Sequence, residues 1–135
     1  MVFAASSACL SRCGEQRHDE GLAGEQLRDQ AVRARGEVLY RQDCALCHGE
    51  RGDGKGARVM GLDPKPASFT DPVWRTPEGA TRAYEAITRG KPGTAMPAWG
   101  DTLSREDRVA LVAYLVSVSE NAAQAGRVAS QPADR

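Results

Sequence analysis

Cys44-Ala45-Leu46-Cys47-His48 sets two thiols three positions apart, with an imidazole directly after the second. This pattern is the signature of covalent haem attachment. Two thiolates so spaced can add across the two vinyl groups of a haem and become thioethers. The two-residue gap suits the separation of those vinyls when the segment turns as helix. His48 then lies beneath the iron and binds it.

Such a site needs a second axial ligand, and imidazole and methionine thioether are the usual partners in electron-carrying haems. The other histidine, His18, sits in a charged stretch poor in apolar residues. The methionines are Met1, Met60 and Met96. Met96 stands in Gly90-Lys91-Pro92-Gly93-Thr94-Ala95-Met96-Pro97-Ala98-Trp99, where two prolines and two glycines restrict the loop enough to present one side chain reproducibly. Met96 is the expected ligand, and Met60, in the looser Gly56–Gly61 stretch, is the reserve. The competing reading of either is the ordinary gap-filling that methionine does in a core.

With these residues in view, the chain resembles a small, single-haem, class I cytochrome c of bacterial type over residues 31–119. Four segments carry the likeness: Gly36-Glu37-Val38-Leu39-Tyr40; Cys44 to Gly49 with Gly52-Asp53-Gly54-Lys55-Gly56 after it; Gly93-Thr94-Ala95-Met96-Pro97-Ala98-Trp99; and Leu103-Ser104-Arg105-Glu106-Asp107 running into Val109–Leu115. The resemblance implies an all-α class I cytochrome c fold, three to five helices wrapped around one covalently bound haem c. It also implies a proline carbonyl that accepts a hydrogen bond from the second nitrogen of the haem histidine; Pro64 is favoured for this over Pro66. Trp74 and Trp99 are indoles that can line the pocket or reach a haem propionate, or simply pack.

Composition agrees. The 135 residues suggest one domain. Aromatics make up only 5% of the chain, sparse for a core of this size, and a buried porphyrin would supply the missing apolar bulk. The 18 basic and 18 acidic residues cancel, which gives no support to nucleic-acid binding. No apolar run reaches the ~18 residues needed to span a bilayer.

Residues 1–13 are apolar and small up to Leu10, then read Ser11-Arg12-Cys13-Gly14, like the remnant of an export or lipoprotein signal. A lipid anchor would use Cys13 or Cys9, although Arg12 departs from that motif. Residues 14–30 mix charges and glycine with only two leucines and read as a flexible charged linker. Residues 120–135 are small and polar and read as a disordered tail.

Between these ends the pattern is helical. Gly36, Tyr40 and Cys44 share one face of a helix over 31–44. A glycine inside a helix costs about 1 kcal/mol against alanine, so Gly36 asks for close approach by another helix. That partner is the last helix, opened by Ser104 with Asp107 three on, a variant of the capping box. The resemblance implies that its Leu111 and Tyr114 pack across Gly36 and Tyr40. A third helix, 78–89, turns Tyr84 and Ile87 inward and leads into the methionine loop.

The function these features imply is one-electron transfer between redox partner proteins in a bacterial respiratory or dehydrogenase chain, in the periplasm or tethered to the outer face of the cytoplasmic membrane. The chain reads as an electron carrier and not as an enzyme. Lys55, Arg58, Lys65 and Lys91 lie in loops that can ring the haem edge. Three other readings fit some of the pattern: a haem enzyme or sensor with an open sixth position; a zinc module of Cys44, Cys47, His48 and Cys9 or Cys13; and a subunit of a larger oxidoreductase.

Overall fold

The computed structural model describes Leu22 and residues 24–130. The expected signal at 1–13, its Cys9 and Cys13, and His18 lie outside these. Among the described residues there are four α-helices and no strand: α1 (Gln30–Asp43), α2 (Ala45–His48), α3 (Pro77–Arg89) and α4 (Arg105–Ala129). Two short 3₁₀ turns, Gln26–Arg28 and Pro72–Arg75, complete the set. The architecture is the all-α class I cytochrome c fold.

Each long helix begins where a short polar side chain meets its orphan amides. Asp29 accepts from the amides of Ala31 and Val32 at 2.8 and 3.0 Å. Thr76 accepts from Gly79 at 3.0 Å, with Pro77 in the first turn. Ser104 accepts from Asp107 at 3.1 Å. The reciprocal half of a capping box is not made there, because the Asp107 carboxylate is turned to Arg35 of α1, whose Nε donates to it at 2.6 Å. That bond ties the start of α4 to α1.

The two helices cross at Gly36. A Cβ there would run into the Ala110 carbonyl and come within 2.9 Å of the Tyr114 Cβ. The crossing is therefore backbone against backbone, closer than any side chain allows. Around it Tyr40, Leu111 and Val112 are completely buried, and the Tyr40 and Tyr114 rings lie 5.0 Å apart. Tyr114 thus packs where the resemblance places it, while the backbone of Ala110 meets Gly36 directly. In α3 Ile87 is buried, and Tyr84 is half-buried beneath the Arg108 guanidinium.

Two expectations about the chain ends are corrected. Residues 24–30 do not form a free linker. Leu27 is buried against the core, and Arg33 clamps it, donating to the Leu27 carbonyl at 2.7 Å while pairing with Glu120 at 2.9 Å. One leucine suffices because a neighbouring arginine binds its carbonyl. At the other end, α4 runs to Ala129 and so includes ten residues assigned to a disordered tail. Alanine is the commonest residue of this stretch, Gly126 is its sole glycine and it contains no proline. Nothing there opposes continuation of a helix already nucleated by buried turns. Ser119, fully buried, donates to the Asp71 carbonyl at 2.7 Å and fastens the turn before α3 onto α4.

Two outcomes follow. Gly36→Ala gains about 1 kcal/mol of helix propensity but must push the α1 and α4 backbones apart, so stability falls by about 1–3 kcal/mol net, read as a lower urea midpoint. Tyr40 donates its hydroxyl to the Gly49 carbonyl at 2.7 Å in a buried contact. Tyr40→Phe orphans that acceptor and costs about 1–3 kcal/mol at neutral pH. Burial first, then the charges of Cys44, Tyr114 and Asp53, push the Tyr40 phenol well above its ordinary 10.0. The folded protein keeps a proton that the unfolded chain releases, so this stability is fully present below about pH 10 and drains away above it. Denaturation curves at rising pH will show a shallower alkaline loss for Tyr40→Phe than for the native chain.

Candidate haem-binding site

The Cys44–His48 segment forms one helical turn, with the Cys47 and His48 amides both donating to the Cys44 carbonyl, at 3.2 and 2.9 Å. Cys44 and Cys47 line the same cavity, and neither is in a disulfide. Burial, reinforced by Asp43 and Cys47, pushes the Cys44 thiol up to about 12. Gly49 ends the turn at φ 85°, a left-handed conformation that glycine adopts without a Cβ clash. The following loop folds back and satisfies the exposed end of α2: Gly54 donates to the His48 carbonyl at 2.8 Å, Gly56 to Cys47 at 3.2 Å, and Arg58 to Leu46 at 3.0 Å. The Tyr40 hydroxyl binds the Gly49 carbonyl, so α1 holds the residue next to His48.

His48 is gripped from two sides. Its Nδ1 lies 3.0 Å from the Ala67 carbonyl, and its ring stacks on Phe69 with centroids 4.8 Å apart. A proton on Nδ1, donated to that carbonyl, leaves the Nε2 lone pair free for a metal. Burial lowers the imidazole pKa, with the Ala67 contact opposing, so the neutral ring is favoured. The expected acceptor was the Pro64 carbonyl, or that of Pro66; the acceptor is Ala67. Pro64 and Pro66 line the cavity wall, but the chain is pinned to the loop after α2 further on, where Phe69 donates to the Gly52 carbonyl at 2.6 Å. Every residue carries a carbonyl, so residue type gives no signal for which one arrives.

Met96 reaches the same cavity from the loop after α3. Gly90, at φ 68°, turns the chain out of the helix. The loop is then closed by Lys91 donating to the Met96 carbonyl at 3.1 Å and by the Met96 amide donating to Thr94 Oγ1 at 3.2 Å. Beyond it, Trp99 and Gly100 donate to the Ile87 and Thr88 carbonyls at 2.9 and 3.0 Å, returning the loop to α3. Met96 is half-buried, whereas Met60 is 89% exposed and away from the cavity wall.

Cys44, Cys47, His48, Pro64, Met96 and Trp99 therefore all face one hollow of about 780 Å³. That volume lies within the range of about 300–1,000 Å³ usual for cofactor sites. Leu62, Phe69, Trp74, Ala83, Ile87 and Leu115 give it apolar walls. Lys65 and Lys91 stand at it, joined by Arg82 and Arg89, while Lys55 and Arg58 do not. Phe69 and Ala67 went unrecognised in the sequence, since neither residue type has metal chemistry. Among the described residues no group of three His, Cys, Asp or Glu converges on a metal-sized centre. Two thiols one turn apart, an imidazole with a free nitrogen and a large apolar hollow fit a flat porphyrin fixed by two thioethers.

Known proteins agree. The chain is 35% identical to the cbb3-type cytochrome c oxidase subunit CcoP of Azospirillum sp. (strain B510), over 71% of this chain and 34% of that one. It is 38% identical to cytochrome c55X of Stutzerimonas stutzeri, over 58% of this chain and 57% of that one. A chain of the Kuenenia stuttgartiensis reducing HAO-like protein complex superposes with a TM-score of 0.54 at 35% identity, covering 64% of this chain and 42% of that one. The chain spans about a third of the length of the curated oxidase subunits it matches. The family described as cytochrome c oxidase, cbb3-type, subunit III matches residues 30–115, and the chain belongs to it as a small c-type cytochrome domain that carries covalent haem c.

Proposed function

We propose that this domain passes single electrons between redox partner proteins through one haem c held by Cys44 and Cys47, with His48 and Met96 as its two axial ligands. The observation that carries the reading is the convergence of these four side chains on one apolar cavity. Bound there, the haem supplies a ferric/ferrous couple.

The chain's own groups make that couple usable. The Ala67 carbonyl holds the Nδ1 proton of His48, which fixes the ring and strengthens its donation through Nε2. Methionine ligation raises the potential relative to a two-histidine site. Backbone bonds at Lys91, Met96, Trp99 and Gly100 keep the Met96 loop in one shape, so little has to move when the charge changes. With both axial positions filled no substrate has a place on the metal, so the domain is an electron carrier and not itself an enzyme.

The likeness to oxidase subunits favours a role beside larger partners, as a subunit or a tethered domain of an oxidoreductase complex. We place it in the periplasm or at the outer face of the cytoplasmic membrane. No described helix is long and apolar enough to cross a membrane, and a lipid anchor would use Cys13 or Cys9. Lys65, Arg82, Arg89 and Lys91 at the cavity would steer encounter with partners more than tighten it.

Met96→Ala tests the ligand assignment in protein made with haem-attachment machinery. The ferric variant is expected to lose the weak long-wavelength band of sulfur ligation, its midpoint potential to fall, and the ferrous form to bind carbon monoxide. A spectrum identical to that of the native protein, or a native protein that already binds carbon monoxide rapidly, rejects Met96 as the ligand.

A further inference from the structure

Trp74 lies one step away from the haem ligands, yet its indole nitrogen is already committed. Nε1 donates to the Ser68 carbonyl at 2.7 Å. Ser68 is the middle of three consecutive residues that hold His48. The Ala67 carbonyl before it meets His48 Nδ1 at 3.0 Å, and the Phe69 ring after it stacks on the imidazole. This trio is fastened at two points. One is the Phe69 amide on the Gly52 carbonyl at 2.6 Å; the other is Trp74. A segment held at the first alone can swing about it and carry the Ala67 carbonyl away from the imidazole. Trp74 is itself clamped, edge-on to Phe69 at 5.3 Å and beneath the Arg82 guanidinium at 5.8 Å.

We propose that Trp74 is a positioning residue for the iron ligand: through the Ser68 carbonyl its indole N–H fixes the Ala67 carbonyl against His48, and so sets the orientation and donor strength of the imidazole. A firmly held Nδ1 proton makes the ring a stronger donor and favours ferric iron; a slack contact favours ferrous iron. The inference rests on His48 as an iron ligand.

The test uses the haem-loaded full chain carrying Trp74→Phe, which keeps a ring beside Phe69 and removes the donor. In the ferrous protein, NMR is expected to show the His48 Nδ1 proton exchanging about tenfold faster. The amide of Val112, deep in α4, is expected to be unchanged, and the midpoint potential to rise. Native exchange together with a native potential overturns the proposal. So does an acceleration shared equally by Val112, which marks general loss of stability. Faster exchange at an unchanged potential shows that the contact does not set the donor strength of the imidazole and overturns the proposal, while a native haem spectrum in the variant keeps His48 as the ligand. A second measurement needs no variant: in the native protein the Trp74 Nε1 and His48 Nδ1 protons should open together, with protection within about threefold of each other. A freely exchanging Trp74 proton beside a protected His48 proton overturns the proposal.

Discussion

The contact on which the rest of the structure depends is the passage of Gly36 over the Ala110 carbonyl. Because two backbones touch there, the angle and register of α1 on α4 have one close-packed solution. Tyr40, one turn along α1, is then driven into the core, with its hydroxyl left facing the Gly49 carbonyl. Gly49 follows His48. The position of the His48 imidazole is thus traced back, through one hydrogen bond, to the absence of a side chain at residue 36. A buried hydroxyl that finds a buried carbonyl satisfies both groups at once, and leaving either unmatched would cost more than the bond is worth.

Around that crossing the protein has built walls more than a filled interior. At the wall of the hollow Phe69 stands in ring contact with His48 and Trp74 and, behind them, with the buried Tyr40. The remaining lining comes from Asp43, Cys44 and Cys47, the loop from Leu62 to Ala67, α3, the methionine loop and Leu115 of α4. Without a large apolar group between them these surfaces would face water. Occupancy therefore contributes to folding as well as to chemistry, because whatever binds only the folded state stabilises it. Covalent attachment of the haem makes that contribution permanent.

The charges are distributed as unevenly as the rings. The chain is neutral in sum, yet Lys65, Arg82, Arg89 and Lys91 stand at the cavity against Asp43 and Glu85. Elsewhere the arginines serve the scaffold. Arg33 joins the N-terminal turn to Glu120, Arg35 joins α1 to Asp107, and Arg108 lies over Tyr84. The residue types do not separate these duties; their places in the fold do.

Much of the site was legible along the chain because its chemistry is local. Cys44, Cys47 and His48 sit within one turn, and the prolines and glycines about Met96 announce a loop that holds its shape. Gly36 and Ser104 likewise declared a close helix crossing and a helix start, since each depends on a property of one residue. What folding alone decided involves groups that every residue has, or partners far apart in sequence. The carbonyl that reaches His48 belongs to Ala67 and not to Pro64, because Gly52 and Trp74 anchor the segment beyond the prolines. Leu27 docks and α4 continues past Glu120 because Arg33 and buried turns supply what local composition lacks. Spacing can state which side chains are able to act on a metal. Only the packed backbone determines which peptide groups stand behind them, because a peptide carbonyl carries no mark of identity until the chain has brought it to its partner.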